Sequence, residues 1–168
     1  MSEDVAAAMR RLSDGAFGLI RRMVRDREEA LDLTQDVLVR VLSRRRPDSP
    51  ADLKAYAMRA AYRAALNALR DRKRHARIHD RLAAEQRSRP DNPDAIETAE
   101  RKRMIAEALG ELPPKQREAI SYRFFGELAV AEIAAAMGIS EGAVKVHLFR
   151  GLANLNAQLA DKMKEMSI

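Results

Sequence analysis

Residues 131–149, AEIAAAMGISEGAVKVHLF, constrain the fold more than any other stretch, because their local signals fit two helices joined by a tight turn. Gly138 can adopt the left-handed backbone conformation that ends a helix. Ser140 can cap the next helix, and the negative charge of Glu141 suits the positive end of that helix. The pattern predicts a helix-turn-helix.

The apolar side chains of this stretch predict how its two helices pack. Ala134 and Ala135 are small enough for the helices to cross closely, and Ile139 is expected to seat the turn on the core. Four more side chains have helical spacing and should point inward. These are Ile133, Met137, Val144 and Leu148.

The second helix of such a motif fits the DNA major groove, where Arg and Lys contact guanine edges or phosphates. The candidate DNA-binding residues of this recognition helix are Ser140, Lys145, His147, Phe149 and Arg150. Phe149 could pack in the core or contact a thymine methyl group, and the sequence leaves both open. The alternative to DNA binding is an ordinary helical hairpin with scattered surface charge.

The rest of the chain is also expected to be helical. Of its 168 residues only 7 are Gly and 6 are Pro, and no segment alternates as a strand does. No apolar run approaches the roughly 18 residues that span a bilayer. The acidic start, MSEDVAAAMRRL, is unlike a signal peptide, so we expect no membrane insertion and a cytoplasmic protein. With no cysteine, the chain has no disulfide, thiolate nucleophile or Cys-ligated metal site.

Helix-start signals and a polar break divide the chain. We expect helices over about 13–25, from Asp26, and from Ser49-Pro50, which form an N-cap and a first helical position. The stretch RSRPDNPDA (87–95) has two prolines and no apolar periodicity. The prediction is therefore all-α, with two small helical domains (1–86 and 97–168) joined by a flexible linker (87–96).

The positive charge is concentrated in one segment. The net charge is +6, whereas residues 43–89 alone hold 14 Lys and Arg against 5 Asp and Glu, a balance of +9. A basic block of this length favours a polyanionic partner, because neutralising phosphates releases counterions. Nucleic acid is the partner that this distribution predicts.

Three stretches carry a resemblance to a known family. ELPPKQREAISYRFFGELAVAEIAAAMGISEGAVKVHLFRGLANL resembles region four of bacterial sigma factors, with Leu112-Pro113, Arg117-Glu118 and Gly138-Ile139-Ser140 among the shared elements. DREEALDLTQDVLVRVL resembles the polymerase-binding helix of their region two, and AYAMRAAYRAALNALRDRKR resembles the promoter-element helix that follows it. The order of these stretches and the length of the chain resemble those of the extracytoplasmic-function (ECF) class. The resemblance covers about 13–75 and 100–160.

The resemblance implies a sigma factor. Such a protein binds the largest-subunit coiled-coil and the flap of core RNA polymerase, and it directs promoter-specific initiation. It implies polymerase binding by Asp32, Leu33, Gln35 and Asp36. It implies binding of the downstream (minus-ten) element by Arg44, Arg45, Arg46, Lys54, Arg59, Arg63, Arg70 and Lys73. The recognition helix would take the upstream (minus-thirty-five) element. An anti-sigma factor acting in a stress or envelope response is a further implied partner.

The sequence departs from the family pattern at a few positions. Tyr56-Ala57 stands where the family usually has Trp-Leu, Arg63 where it often has Asn, and Ala143 where a threonine is common. These departures bear on promoter preference. The stretch SRRRPDSPADLK resembles the family's base-capturing loop; Tyr56 and Tyr62 are the only aromatic residues near it in the sequence, and both are expected to lie in the core. The scarcity of aromatic residues predicts weak promoter melting.

Three classes of protein other than a sigma factor fit the sequence less well. The stretch SEGAVKVHL is also close to the recognition helix of LuxR-type activators, although nothing in the first half resembles a receiver or a ligand pocket. A decoy that binds an anti-sigma factor would not need the basic block. An enzyme is not indicated, since there is no Gly-rich phosphate loop or Ser/His/Asp arrangement, and we expect no cofactor, metal or small-molecule substrate. His75 and His79, spaced i, i+4, are interpreted as a surface pair without a third metal ligand.

Overall fold

The computed structural model of the chain describes residues 2–43, 49–79 and 93–166. Regular structure in these ranges is entirely helical, which confirms the predicted all-α class. The helices are α1 (Ser2–Val24), α2 (Arg27–Leu42), α3 (Pro50–His79), α4 (Pro93–Glu111), α5 (Pro114–Ile120), a π-helical turn (Ser121–Phe125), α6 (Val130–Met137) and α7 (Glu141–Met166).

The predicted helix starts are confirmed by their hydrogen bonds. The backbone N–H of Glu29 donates to Asp26 Oδ1 over 2.9 Å, and the N–H of Asp52 donates to Ser49 Oγ over 3.1 Å. The N–H of Ala143 donates to Ser140 Oγ over 3.2 Å. These bonds satisfy donors that the first turn of each helix cannot pair internally.

The turn of the helix-turn-helix also has the predicted geometry. Gly138 has φ +66°, the left-handed region that a residue with a Cβ adopts only at a cost. The Ile139 N–H donates to the Ala134 carbonyl over 3.1 Å, which closes the end of α6. Ile133, Met137 and Val144 are buried, and Leu148 packs against the same core.

Three sequence predictions differ from the structure. α1 begins at Ser2 rather than near residue 13, since its alanine-rich start favours helix. Of the predicted linker, 87–92 lie outside the described residues, but 93–96 belong to α4, because Pro93 occupies the first helical position, where its missing N–H costs nothing. Ala135 is exposed, and the buried small residue next to Ala134 is Ala136.

Helices α1–α3 form one packed unit, here called the N-terminal module. Each helix contributes a buried apolar stripe at helical spacing to a common core. The stripes comprise Leu19, Ile20 and Val24 of α1, Ala30, Val37 and Val41 of α2, and Met58, Ala61 and Ala65 of α3. Alanines on α3 allow the three helices to approach closely.

Helices α4–α7 and the π-helical turn form the C-terminal module. Leu109, Leu112 and Ile120 make a small apolar cluster where α5 packs on α7. Gly151 lies at the closest approach of these two helices: a Cβ there would stand 2.7 Å from Ile120 Cδ1. The glycine is therefore required by space, in the middle of a helix where it otherwise costs stability.

The two modules pack against each other through a shared core. Tyr62 of α3 and Tyr122 of the π-helical turn are both buried, with ring centroids 5.3 Å apart and planes tilted by 49°. α3 also lies along α6, and α1 contacts the π-helical turn. The structure is thus a closed arrangement of the two predicted helical units.

Among the helices described here, none combines the length and the apolar composition that crossing a membrane requires.

Gly151→Ala tests the packing of α5 on α7. The added Cβ would overlap Ile120 and stand 3.2 Å from Gln116 Cβ, so we expect the free energy of unfolding to fall by about 1–2 kcal/mol. Gly18→Ala is the matched control, because Gly18 is also mid-helix but faces open space. It should gain up to about 1 kcal/mol from helix propensity. Urea unfolding followed by circular dichroism measures both, and equal stabilisation of the two variants would contradict the close approach.

Candidate nucleic-acid interface

The recognition helix is the first half of α7, and its outer surface carries most of the predicted DNA-binding residues. Lys145 and Arg150 are exposed, and the Phe149 side chain is 76% exposed. The possibility that Phe149 packs in the core is therefore wrong. His147 is half-buried, so it contributes less outer surface than its neighbours. Ser140 accepts the capping bond and, as a hydroxyl, keeps its hydrogen to donate.

The predicted downstream-element residues are not all on one surface. Arg59, Arg63, Arg70 and Lys73 lie within about 80° around the axis of the continuous helix α3. Lys54 lies on another side, where its Nζ bonds Glu132 Oε1 of α6. Arg44, Arg45 and Arg46 lie outside the described residues.

Charged contacts cross between the modules near Lys54. Arg22 Nη2 bonds Glu127 Oε1, and Arg22 Nη1 bonds the Phe125 carbonyl, each over 2.7 Å. The Lys54 ammonium beside Glu132 holds the pKa of that carboxyl below its ordinary value. Part of the predicted promoter-binding surface is thus occupied by the C-terminal module.

A groove of about 1090 Å³ separates the modules beside this contact. Its lining includes the apolar residues Leu66, Ile105 and Phe125 and the carboxylates Glu107 and Glu111. Cationic side chains from both modules line its walls. These are Arg21, Arg22, Arg25, Arg70, Lys73, Lys102, Arg103 and Arg117. Sequence reasoning missed the α1 and α4 members, since only the tertiary structure brings them beside α3.

The predicted polymerase-binding residues lie on α2. Asp32, Gln35 and Asp36 are exposed, whereas Leu33 is half-buried and packs on the core. Val39 and Leu42 are 62% and 65% exposed and continue the outward face. Sequence reasoning missed these two, although the spacing 35, 39, 42 marks one side of a helix.

The tyrosines of the N-terminal module are placed mainly by packing. Tyr62 is buried against Tyr122, which confirms its core position, and burial raises the pKa of both phenols. Tyr56 is half-buried and packs against the same core. Neither ring lies free on the surface as a platform for a base.

Only one member of the predicted histidine pair of α3 has a described side chain. His75 is exposed, and its Nδ1 lies 2.8 Å from the Asp71 carbonyl oxygen. The side chain of His79 lies outside the described side chains. Among the described residues there is no group of three or more His, Cys, Asp or Glu that could hold a metal ion.

The structure combines a basic helical module with a helix-turn-helix. The second helix of that motif exposes cations and an aromatic residue. These features are typical of helical DNA-binding proteins. Comparison with known proteins narrows the class. Residues 8–75 match the family described as Sigma-70 region 2, and residues 102–155 match Sigma-70, region 4.

Relatives match over nearly the whole chain. The RNA polymerase sigma-E factor of Streptomyces avermitilis is 32% identical over 154 residues, which cover 92% of this chain and 84% of that protein. The ECF RNA polymerase sigma factor SigL of Mycobacterium tuberculosis is 28% identical over 163 residues, covering 93% and 91% of the two chains.

A solved structure shares the fold. The sigma factor RpoE of Bartonella quintana, crystallised with the anti-sigma factor NepR, superposes with a TM-score of 0.51 at 20% identity and covers 95% of this chain and 96% of that one.

The chain therefore belongs to the sigma-70 family of bacterial RNA polymerase sigma factors, in the ECF class. As a sigma factor it binds core RNA polymerase and directs promoter-specific transcription initiation. Members of this family are initiation factors rather than catalytic enzymes, so the stand-alone activator and the enzyme are both set aside.

Glu132→Gln tests the charged contact between the modules. The pKa of Glu132 is lowered in the closed form, so the pair stabilises closure above the ordinary carboxyl pKa of 4.5 and this contribution is lost as the pH falls below it. Because exposed pairs contribute at most about 1 kcal/mol, we expect the open fraction to rise up to about fivefold at neutral pH.

Fluorescence energy transfer measures this opening. The chain has no cysteine, so dyes on Gln35→Cys and Asn156→Cys would label one site in each module. Glu100→Gln removes an exposed carboxylate of α4 as the control and should leave the transfer unchanged. An unchanged transfer in Glu132→Gln would show that the Lys54–Glu132 pair does not help to hold the modules together.

Proposed function

We propose that this sigma factor uses a different helix for each of its three binding partners: α2 for core polymerase, and α3 and α7 for the two promoter elements. α2 would bind the coiled-coil of the largest polymerase subunit, α3 would bind the downstream promoter element, and α7 would read the upstream element. One observation carries this proposal: the recognition helix α7 is capped and exposes its cations. It belongs to the C-terminal module, whereas the basic helix α3 belongs to the N-terminal module.

The face of α2 combines the chemistry that a basic coiled-coil partner requires. Asp32 and Asp36 supply negative charge, Gln35 offers an amide for directional hydrogen bonds, and Val39 and Leu42 add exposed apolar surface. Exposed large apolar side chains grouped with polar ones are typical of a binding surface. Leu33 would act indirectly, since its contacts with the core fix the orientation of α2.

The α3 cations fit the sugar-phosphate backbone of the downstream element. Arg59, Arg63, Arg70 and Lys73 share one side of a rigid helix, which suits a regularly spaced row of phosphates. Lys54 pairs with Glu132 in the closed arrangement, so it would reach DNA only after the C-terminal module moves away. Binding both promoter elements at once would therefore require the modules to open.

We further propose that an anti-sigma factor controls the chain in the cytoplasm, as part of a stress or envelope response. The groove between the modules supports this, because its lining combines cationic and apolar side chains, which suit an acidic amphipathic helix. Such a helix would hold the modules closed and keep Lys54 from DNA. A purified inhibitor that blocks transcription by the native chain and by Lys102→Glu equally would contradict this placement, because Lys102 lines the groove and is not among the predicted DNA-binding residues.

Asp32→Lys tests the α2 contact. Reversing a charge within a complementary interface introduces repulsion, so we expect core-polymerase affinity to fall about tenfold or more. Glu100→Lys is the control, because it makes the same reversal on an exposed part of α4. Fluorescence anisotropy of labelled protein titrated with core polymerase measures both. Equal affinities for the two variants would remove α2 from the polymerase contact.

Arg150→Ala tests the α7 contact. A side chain that contacts a base edge typically contributes about 1–3 kcal/mol, so holoenzyme binding to the upstream element should weaken about fivefold or more. Lys164→Ala is the control, since Lys164 is exposed near the far end of the same helix. Footprinting and run-off transcription with core polymerase give the readouts. Absence of any transcript from the native chain would favour the decoy over the initiation factor.

A further inference from the structure

The outer surface of α7 carries an unusual row of residues without charge. Gly142, Val146, Phe149 and Ala153 are all exposed, and we call this row the apolar ridge. Val146 is 46% exposed and is not among the predicted DNA-binding residues. Phe149 protrudes most. Exposed apolar groups of this size, side by side, indicate a surface that something covers.

Helix geometry makes the ridge narrow and straight. At 3.6 residues per turn, its four members fall within about 60° around the axis and span about 16 Å along it. Lys145 and Arg150 lie about 70° to either side of the middle of the ridge. The helix therefore presents an apolar centre with one cation on each flank.

This arrangement matches the major groove of DNA in cross-section. A helix in the groove points its middle at the base edges and its flanks at the two phosphate backbones. Lys145 and Arg150 are placed to meet those backbones or the outer edges of the bases. A Cβ at Gly142 would meet only Ser140 Oγ at 3.9 Å, so the helix can approach closely at this end.

The base edges offer one apolar group in the major groove, the 5-methyl of thymine. A valine methyl or a phenyl edge can bury that methyl group, whereas neither can satisfy the donors and acceptors of the other bases. A protein partner would bury the ridge as well, but the cations on both flanks favour a polyanion.

We propose that Val146, together with Phe149, determines specificity for thymine in the upstream element by packing against its 5-methyl group. This inference rests on the proposed function of α7 and goes beyond it, because it names a residue outside the predicted set and the atom that it reads. Arg150 and Lys145 would position the helix, and Val146 would select the base.

Replacing thymine with deoxyuridine tests the inference, because it removes only the methyl group. Each thymine of the preferred upstream element, selected from a library, is replaced in turn, and holoenzyme affinity is measured. At one or two positions we expect binding to weaken about fourfold, the value of one buried methyl group. If no position responds, the inference is overturned.

Variants of Val146 assign the effect to this residue. In Val146→Ala the response to deoxyuridine should disappear at one position, and Val146→Thr, which keeps one methyl, should retain part of it. Met163→Ala is the control, since it truncates an exposed apolar side chain further along α7. Both substituted positions are solvent-accessible, so circular dichroism should show native folding of all three variants.

The outcomes separate this inference from the proposed function. Should Arg150→Ala weaken upstream binding while deoxyuridine has no effect, only the thymine contact fails. Should neither change matter, the assignment of α7 to the upstream element fails too. If Val146→Ala leaves DNA binding intact and weakens core-polymerase binding, the ridge is a protein-docking surface and the inference is overturned.

Discussion

The buried contact between α3 and the C-terminal module determines the arrangement of everything else. Tyr62 and Tyr122 pack ring against ring within a core that continues through both modules. Because burying such rings contributes more than exposed ion pairs do, the charged contacts of Lys54 and Arg22 refine this arrangement rather than create it. The packing also decides which of the predicted promoter-binding residues are covered and which remain accessible.

The closed arrangement leaves some of the predicted binding surfaces exposed and covers part of another. The predicted recognition surface of α7 and the predicted polymerase-binding face of α2 stay exposed, while Lys54 of α3 is occupied by Glu132. The groove carries an excess of positive charge, because its cationic side chains from both modules outnumber the carboxylates Glu107 and Glu111.

Local interactions explain why much of the fold could be predicted. The caps at Asp26, Ser49 and Ser140 and the turn at Gly138 depend on residues within four positions, so the sequence contains all of their determinants. Prediction was wrong where the same signal has two meanings. Pro93 looked like part of a linker and is the first residue of α4, since proline both interrupts and begins helices.

The sequence alone determined the helical class, the helix-turn-helix, the basic character of α3 and the family, because periodicity, capping and motif order are properties of the chain. Only the tertiary structure decided that Phe149 is exposed, that Leu33 faces the core, that Lys54 meets Glu132 and that α1 and α4 complete a cationic groove. Each of these depends on which side of a helix meets another helix distant in sequence, and that is set by the packing of all the helices together.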